Sequence, residues 1–230
     1  MHNKMPNELL EEKKSIQFIL FDLDGTLIDT ELAAAKTVEE AFLEWKIPLQ
    51  TADAAYLTGR TWESALDYLF KKHPIPIPID QAKEHLLNRY RLALENDLKI
   101  VPGCVQAVRV LSKRFQLAVV SGSGRREIIW ALKKLQIDSH FQFILGAEDY
   151  PRSKPHPDGY LKAIEIFKTS PRSCLVFEDS HAGITSALDA GAWVVAVTCT
   201  NHFQQKTHEA HFKIHDLTEI TEKWIDQLNI

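Results

Sequence analysis

Gln17-Phe18-Ile19-Leu20-Phe21-Asp22-Leu23-Asp24-Gly25-Thr26-Leu27 is the stretch on which the reading of the fold turns. Its first half is a short continuous apolar run, the pattern of a parallel strand covered on both faces. The run then breaks into two aspartates and a glycine. In open α/β sheets the carboxyl ends of the strands are where ligands bind. Residues two apart in extended chain point the same way, so Asp22 and Asp24 can turn their carboxylates toward one ligand while Gly25 lets the chain bend away. A carboxylate ionised at neutral pH can attack phosphorus directly, which fits Asp22. Asp24 is then suited to protonate the leaving oxygen and later to deprotonate a water. A solvated acidic turn would account for any two aspartates, but poorly for the whole heptad.

Working outward, similar apolar runs recur at Gln116–Val120, Phe141–Leu145, Ser173–Phe177 and Trp193–Val197. Between them lie helix-like segments, roughly Pro102 to Phe115, Gly124 to Leu135, Pro157 to Phe167 and His181 to Ala190. Pro102 and Pro157 suit positions at or near a helix start, where the missing N–H costs little. Strands alternating with helices predict a doubly wound (Rossmann-like) parallel sheet. The stretch from Thr30 to about Lys99 differs. Glu31 to Trp45, Thr61 to Lys72 and Ile79 to Asn96 read as helices with no buried strand among them, and Val38, Phe42 and Trp45 recur at helical spacing. The prolines between His73 and Ile79 exclude helix there. The expected organisation is therefore a core of residues 1–29 and 99–230 with an inserted helical unit over 30–98.

Three more signals fall at predicted strand ends. Ser121-Gly122-Ser123 offers a hydroxyl and loop N–H groups to phosphate oxygens, although a Ser-Gly turn alone is usually only a turn. Lys154, held between Ser153 and Pro155 just before a helix, supplies the one cation that two aspartates and a phosphate require. Glu178-Asp179 offers hard oxygen donors of the kind that suit Mg²⁺, while paired acids at a helix start also satisfy the helix dipole.

On these residues the sequence resembles the haloacid dehalogenase superfamily, whose nucleophile motif is matched from Asp22 to Thr26 and whose later motifs follow in order to Gly191. The resemblance implies Asp22 as nucleophile, Asp24 as acid/base partner, Ser121 as phosphate ligand and Lys154 as the balancing cation. It implies Mg²⁺ held by Asp22, Asp24 through its backbone carbonyl, Asp179 and Glu178, directly or through water, with Leu23, Gly122 and Ser123 beside the substrate. The helical insert resembles the family's mobile cap, hinged near Leu27 to Thr30 and near Lys99 to Pro102. Relatives acting as dehalogenases or phosphonate hydrolases lack an acid at the position of Asp24, so an oxygen ester is expected. A phosphatase of the phosphoglycolate or sugar-phosphate type, working through an aspartyl phosphate on a small phosphorylated metabolite, is preferred to a β-phosphoglucomutase-like mutase. In that mutase a His lies four positions beyond the residue matching Thr30; here it is Ala34. Arg60, beside Trp62, is the candidate substrate contact from the cap. A non-catalytic phosphate-binding regulator is the reading from another class; it has no need for both aspartates and Lys154.

The bulk properties agree. The 230 residues are 45% hydrophobic and 25% charged, an ordinary globular composition. A formal charge of −4 with no long basic run argues against a nucleic-acid partner. No stretch is apolar and long enough to span a bilayer, and Met1 to Lys14 is unlike a secretory leader. Three widely spaced cysteines (Cys104, Cys174, Cys199) read as free thiols in a reducing cytoplasm. The glycines at 122 and 124 lack the third member of a dinucleotide fingerprint, since Glu127 stands there. His202, His208, His211 and His215 match no common zinc spacing and read as a polar, partly solvated tail. His181 reads as an exposed or supporting histidine rather than a base. The sequence does not separate a monomer from a dimer.

Overall fold

Strand β1 (Phe18–Phe21) lies in the middle of a six-stranded sheet ordered β5-β4-β1-β6-β7-β8, with β4 spanning Gln116–Val120, β5 Phe141–Leu145, β6 Cys174–Glu178, β7 Trp193–Val197 and β8 Phe212–Ile214. Each neighbouring pair is parallel. This computed structural model describes residues 16–50, 52–53, 56 and 61–227. The doubly wound α/β expectation holds, and its cause is visible in β1. All four of its residues are buried. Ile19 and Phe21 point into one apolar cluster with Val108, Leu111 and Ile128, while Phe18 and Leu20 point into the other with Tyr160, Ala163 and Ile184. That is the period-two alternation of a strand covered on both faces. Each such side chain contributes roughly 1.5–3 kcal/mol on burial.

The layers flanking the sheet are α4 (Cys104–Leu111), α5 (Arg125–Lys134), α6 (Asp158–Phe167) and α7 (His181–Asp189). Pro102 lies near a helix start, as the sequence suggests, one residue before the N-cap of α4. Gly103 is that N-cap, at φ +79, and a Cβ there would sit 2.3 Å from the Thr218 nitrogen. Pro157 is the N-cap of α6. The sequence reading missed β8. Its three residues, with Lys213 at the centre, form a short edge strand beside β7 within a stretch otherwise rich in histidine.

Between β1 and α4 the described residues include the helices α1 (Glu31–Glu44), α2 (Trp62–Lys72) and α3 (Ile79–Asn96). They share a core of their own around Val38, Phe42, Leu66, Leu69 and Leu86. Asp53, fully buried, ties the intervening chain to the end of α2. It accepts from Lys72 Nζ at 2.6 Å and from the Gln50 N–H at 3.0 Å, and lies 3.2 Å from His73 Nε2. The two passages between this unit and the sheet are joined by a small antiparallel ribbon, β2 (Ile28–Asp29) with β3 (Lys99–Ile100), paired Ile28 to Ile100 and Asp29 to Lys99. The last helix, α8 (Glu222–Asp226), packs back on the core through Ile225. Among the described residues no helix is long and apolar enough to cross a membrane.

Candidate active site

The carboxyl ends of β1, β4 and β6 and the loop before α6 bring four of the sequence signals together. Asp22 follows β1, its N–H bonded to the Phe177 carbonyl at 3.0 Å, so the backbone ladder itself fixes the nucleophile candidate beside β6. Lys154 is buried and donates to Asp22 Oδ1 at 2.5 Å, Glu178 Oε1 at 2.6 Å and the Val120 carbonyl at 3.3 Å. Burial opposes charge on this lysine, but two carboxylates in contact outweigh it and hold the ammonium protonated.

Glu178 is saturated. Oε1 accepts from Lys154 and from the Tyr160 hydroxyl at 2.8 Å, and Oε2 accepts from the Asp179 and Ser180 N–H groups and the Ser180 hydroxyl. The carboxylate lies over the first turn of α7 where Gly183 leaves room, for a Cβ there would stand 1.9 Å from Oε1. Burial drives the Tyr160 phenol well above its usual range, with the Glu178 charge adding to the shift, so it stays a donor.

Asp22, Glu178 and Asp179 present carboxylate oxygens within 4.8 Å of one another, all buried. Burial pushes the carboxyls of Asp22 and Asp179 well up, opposed at Asp22 by Lys154 and reinforced at Asp179 by Glu31 and Glu178. Hard oxygen donors under mutual repulsion, with one lysine already shared, fit a small divalent cation such as Mg²⁺. Asp179 approaches so closely that a Cβ on Gly25, whose φ is +84, would lie 2.1 Å from its Oδ2.

Asp24 points away from this cluster. Its Oδ1 accepts from Thr30 at 2.8 Å; its Oδ2 accepts from Ser123 Oγ at 2.6 Å and Ser121 Oγ at 3.2 Å. Ser121 is itself held, its hydroxyl oxygen accepting from the Ser123 N–H and its carbonyl from the Tyr150 hydroxyl. From α3 the Tyr90 phenol comes within hydrogen-bonding reach of Thr30 and Asp24, and burial raises it well above its usual range. A cavity of about 460 Å³ opens over Leu23, Asp24, Gly122 and Ser123 and is roofed by α2 and α3.

Arg60 lies outside the described residues. Trp62 is half-buried, packs against Tyr90 in a tilted pair with 4.8 Å between ring centroids, and lines the cavity. His181 is exposed, its N–H donating to Gln205 Oε1. His202 pairs with Asp29 at 3.0 Å and His211 Nδ1 accepts from the Val194 N–H, in separate places. Sequence reasoning missed Tyr90, Tyr160 and Trp130. Each is an aromatic within a helix, where the pattern signals only core.

The family profile described as haloacid dehalogenase-like hydrolase matches residues 19–197. Among characterised proteins, the chain is 30% identical to validoxylamine A 7'-phosphate phosphatase of Streptomyces hygroscopicus, over 87% of this chain and 94% of that one. It is 29% identical to hexitol phosphatase A of Escherichia coli, over 88% and 92%. Among solved structures, β-phosphoglucomutase from Clostridium difficile shares the fold with a TM-score of 0.77 at 23% identity, covering 92% of this chain and 96% of that one.

Proposed function

The chain belongs to the haloacid dehalogenase-like hydrolases, and from that premise we propose that it is a Mg²⁺-dependent phosphatase of small phosphomonoesters that works through an aspartyl phosphate on Asp22. The observation that carries the reading is the division of labour between the two aspartates. Asp22 is fixed on Lys154 in a buried acidic cluster, and Asp24 is turned toward the cavity and the two serines.

In the first half-reaction a carboxylate oxygen of Asp22 bonds to phosphorus as the bond from phosphorus to the ester oxygen breaks. Asp24 gives its proton to that oxygen and the alcohol leaves. In the second, Asp24 removes a proton from a water whose oxygen attacks the same phosphorus; the acyl-phosphate bond breaks, and inorganic phosphate and the Asp22 carboxylate are regenerated. Lys154 keeps its charge through both halves and offsets the negative charge on Asp22 and the phosphoryl oxygens. Ser121 holds a phosphate oxygen once its present acceptor, Asp24, takes up its proton work. Mg²⁺, when held by Asp22, the Asp24 carbonyl, Asp179 and Glu178, supplies further positive charge to the phosphoryl group and relieves the repulsion among these acids. Glu178 supports Lys154 first, since its oxygens already carry five contacts.

Relatives named for a hexitol, for phosphorylated carbohydrates and for a validoxylamine phosphate support a substrate of metabolite size. Ala34, on the α1 face behind Thr30, has no side chain able to steer the phosphoryl group to a second hydroxyl, which favours hydrolysis over mutase chemistry. The test is release of inorganic phosphate from p-nitrophenyl phosphate and a metabolite panel with Mg²⁺ or with EDTA. Turnover is expected only with the metal and is abolished in Asp22→Asn. No release from any phosphoester, or full activity in Asp22→Asn, would overturn the assignment. Interconversion of hexose phosphates without released phosphate would establish the mutase instead.

A further inference from the structure

Helix α3 carries more apolar surface than its own unit needs. Leu86 packs with Val38, Phe42 and Leu66 in the helical core, and Ala82 is buried on the same side of the helix. A second stripe, Leu87, Tyr90 and Leu94, follows at helical spacing and lines the 460 Å³ cavity over Asp24. Trp62 from α2, Trp130 from α5 and Ile28 from β2 complete its apolar walls. Tyr90 and Leu94 are buried and Leu87, Trp62 and Trp130 half-buried, so the walls beside the reactive carboxylate offer a mainly apolar face to whatever enters the cavity.

Among the described residues of the lining, several polar groups already have partners. Ser123 donates to Asp24, Thr61 accepts from the Ser64 N–H, and Arg91 pairs with Glu127 at 3.1 Å across the rim. Glu63, Glu95 and Arg126 also line the cavity and are exposed, so they keep their contact with solvent. A hexose pushed into this space would desolvate several hydroxyls, each costing about 1–3 kcal/mol if left without a partner. An acid of glycolate size would leave most of the volume unfilled, and the aromatic walls would contribute nothing to its binding. A flat ring, by contrast, gains from contact with aromatic side chains beyond the area it buries.

We infer that the substrate's alcohol half is a flat, weakly hydroxylated ring system, so that the preferred ester is a phosphate on an aromatic or heteroaromatic alcohol rather than on an acyclic acid or a hexose. The inference rests on the phosphatase reading, in which Asp24 faces the leaving oxygen, and it narrows the substrate that reading left open. It makes Trp62, Trp130 and Leu87 specificity residues, acting on the alcohol and not on phosphorus.

The test compares naphthylmethyl phosphate, phosphoglycolate and glucose 6-phosphate in the presence of Mg²⁺. The methylene keeps the leaving oxygen an ordinary alkoxide, so that intrinsic reactivity does not masquerade as recognition. KM for the ring ester is expected at least about tenfold below the other two, the factor that corresponds to one well-stacked aromatic contact. Trp130→Ala should reduce the ratio of kcat/KM between ring and acyclic esters about tenfold. Leu87→Gln, a milder change on the half-buried face of α3, should move the same ratio in the same direction if Trp130→Ala does not fold. Equal or lower KM for phosphoglycolate or the hexose phosphate would overturn the inference, as would a ratio unmoved in both variants. Direct binding to Asp22→Asn by calorimetry separates the two layers of the argument. Ring preference in binding without turnover by the wild type keeps the pocket and refutes the phosphatase, whereas turnover with no ring preference does the reverse.

Discussion

Replacing Gly183 by alanine tests whether Glu178 holds Lys154 in place. Gly183 lies in the first turn of α7, with its N–H bonded to Ser180 Oγ, and a Cβ added there would meet Glu178 Oε1, Cδ and Oε2 at 1.9, 2.0 and 2.1 Å. Ordinary contact begins near 3.4 Å, so the carboxylate must retreat by about an ångström or more. It cannot do so and keep both the Lys154 contact at 2.6 Å and the Tyr160 contact at 2.8 Å. A misplacement of about that size costs on the order of 100-fold in rate when it reaches the reacting groups. Breaking a buried ion pair costs roughly 3–5 kcal/mol, of which Lys154 recovers part through Asp22, which it still touches. We expect kcat for p-nitrophenyl phosphate to fall about 100-fold and the unfolding free energy to drop by about 2–4 kcal/mol. Gly191→Ala is the control for strain away from the site: its φ of +81 is unfavourable for alanine, a backbone strain that Gly183 inside α7 does not have, and the nearest atom is Pro171 Cβ at 3.2 Å. It should cost about 1–2 kcal/mol of stability and leave kcat alone. A Gly183→Ala enzyme with kcat within about threefold of wild type and an unchanged denaturation midpoint would refute the idea that Glu178 buttresses the lysine.

Tyr160→Phe removes the 2.8 Å bond to Glu178 without changing shape and should cost about 1.5–3 kcal/mol in urea unfolding; a loss under about 0.5 kcal/mol would mean the hydroxyl is dispensable. Asp24→Asn should lower steady-state turnover of alkyl phosphates by at least about 100-fold. It should still release one equivalent of nitrophenolate in a stopped-flow burst, because that leaving group needs no proton; no burst would count against Asp22 as the acceptor. Burial alone would raise the Asp53 carboxyl, but Lys72, the Gln50 N–H and His73 together hold it below its usual range. The folded value being depressed, this stabilisation is present above the unfolded pKa of about 3.9 and is lost as pH falls below it through the folded value. Wild-type stability by urea denaturation should therefore drop below about pH 4, and the drop should be smaller in Asp53→Asn; identical profiles would exclude Asp53 as a contributor.

The central strands were readable because each is buried along its length, save the first residue of β4 and of β7. A run such as Phe18 to Phe21 has no polar residue to blur it, and Val119, Val120, Val194 and Val195 are equally unambiguous. The edge strand at Phe212–Ile214 was not, since a three-residue strand with a lysine at its centre has too little pattern to exceed its surroundings. The start of α4 was legible to within two residues from Pro102, while the capping itself falls to Gly103 at positive φ, a conformation that the sequence pattern does not display. In the site, Asp22, Asp24, Lys154 and Asp179 were legible because charged groups at the ends of buried strands need a reason. The helix aromatics were not. Tyr90 and Tyr160 repeat at the spacing of core residues, and only the packing of one helix against another's loop shows that their hydroxyls reach Asp24 and Glu178. Glu178 was placed correctly beside Asp179, but its saturation by five donors depends on the fold of the following turn.

The ribbon formed by Ile28–Asp29 and Lys99–Ile100 has a consequence for how this chain tolerates change. Because the entry and exit of the helical unit are stitched side by side, the sheet experiences that unit as a bridge across a gap of one strand spacing, about 5 Å. Whatever is carried between those two ends hardly alters the entropy of closing the loop, which grows only with the logarithm of its length. The helical unit is thus joined to the sheet through one short ribbon, so its length and sequence can vary while the strand ends that carry Asp22, Lys154 and Glu178 keep their places.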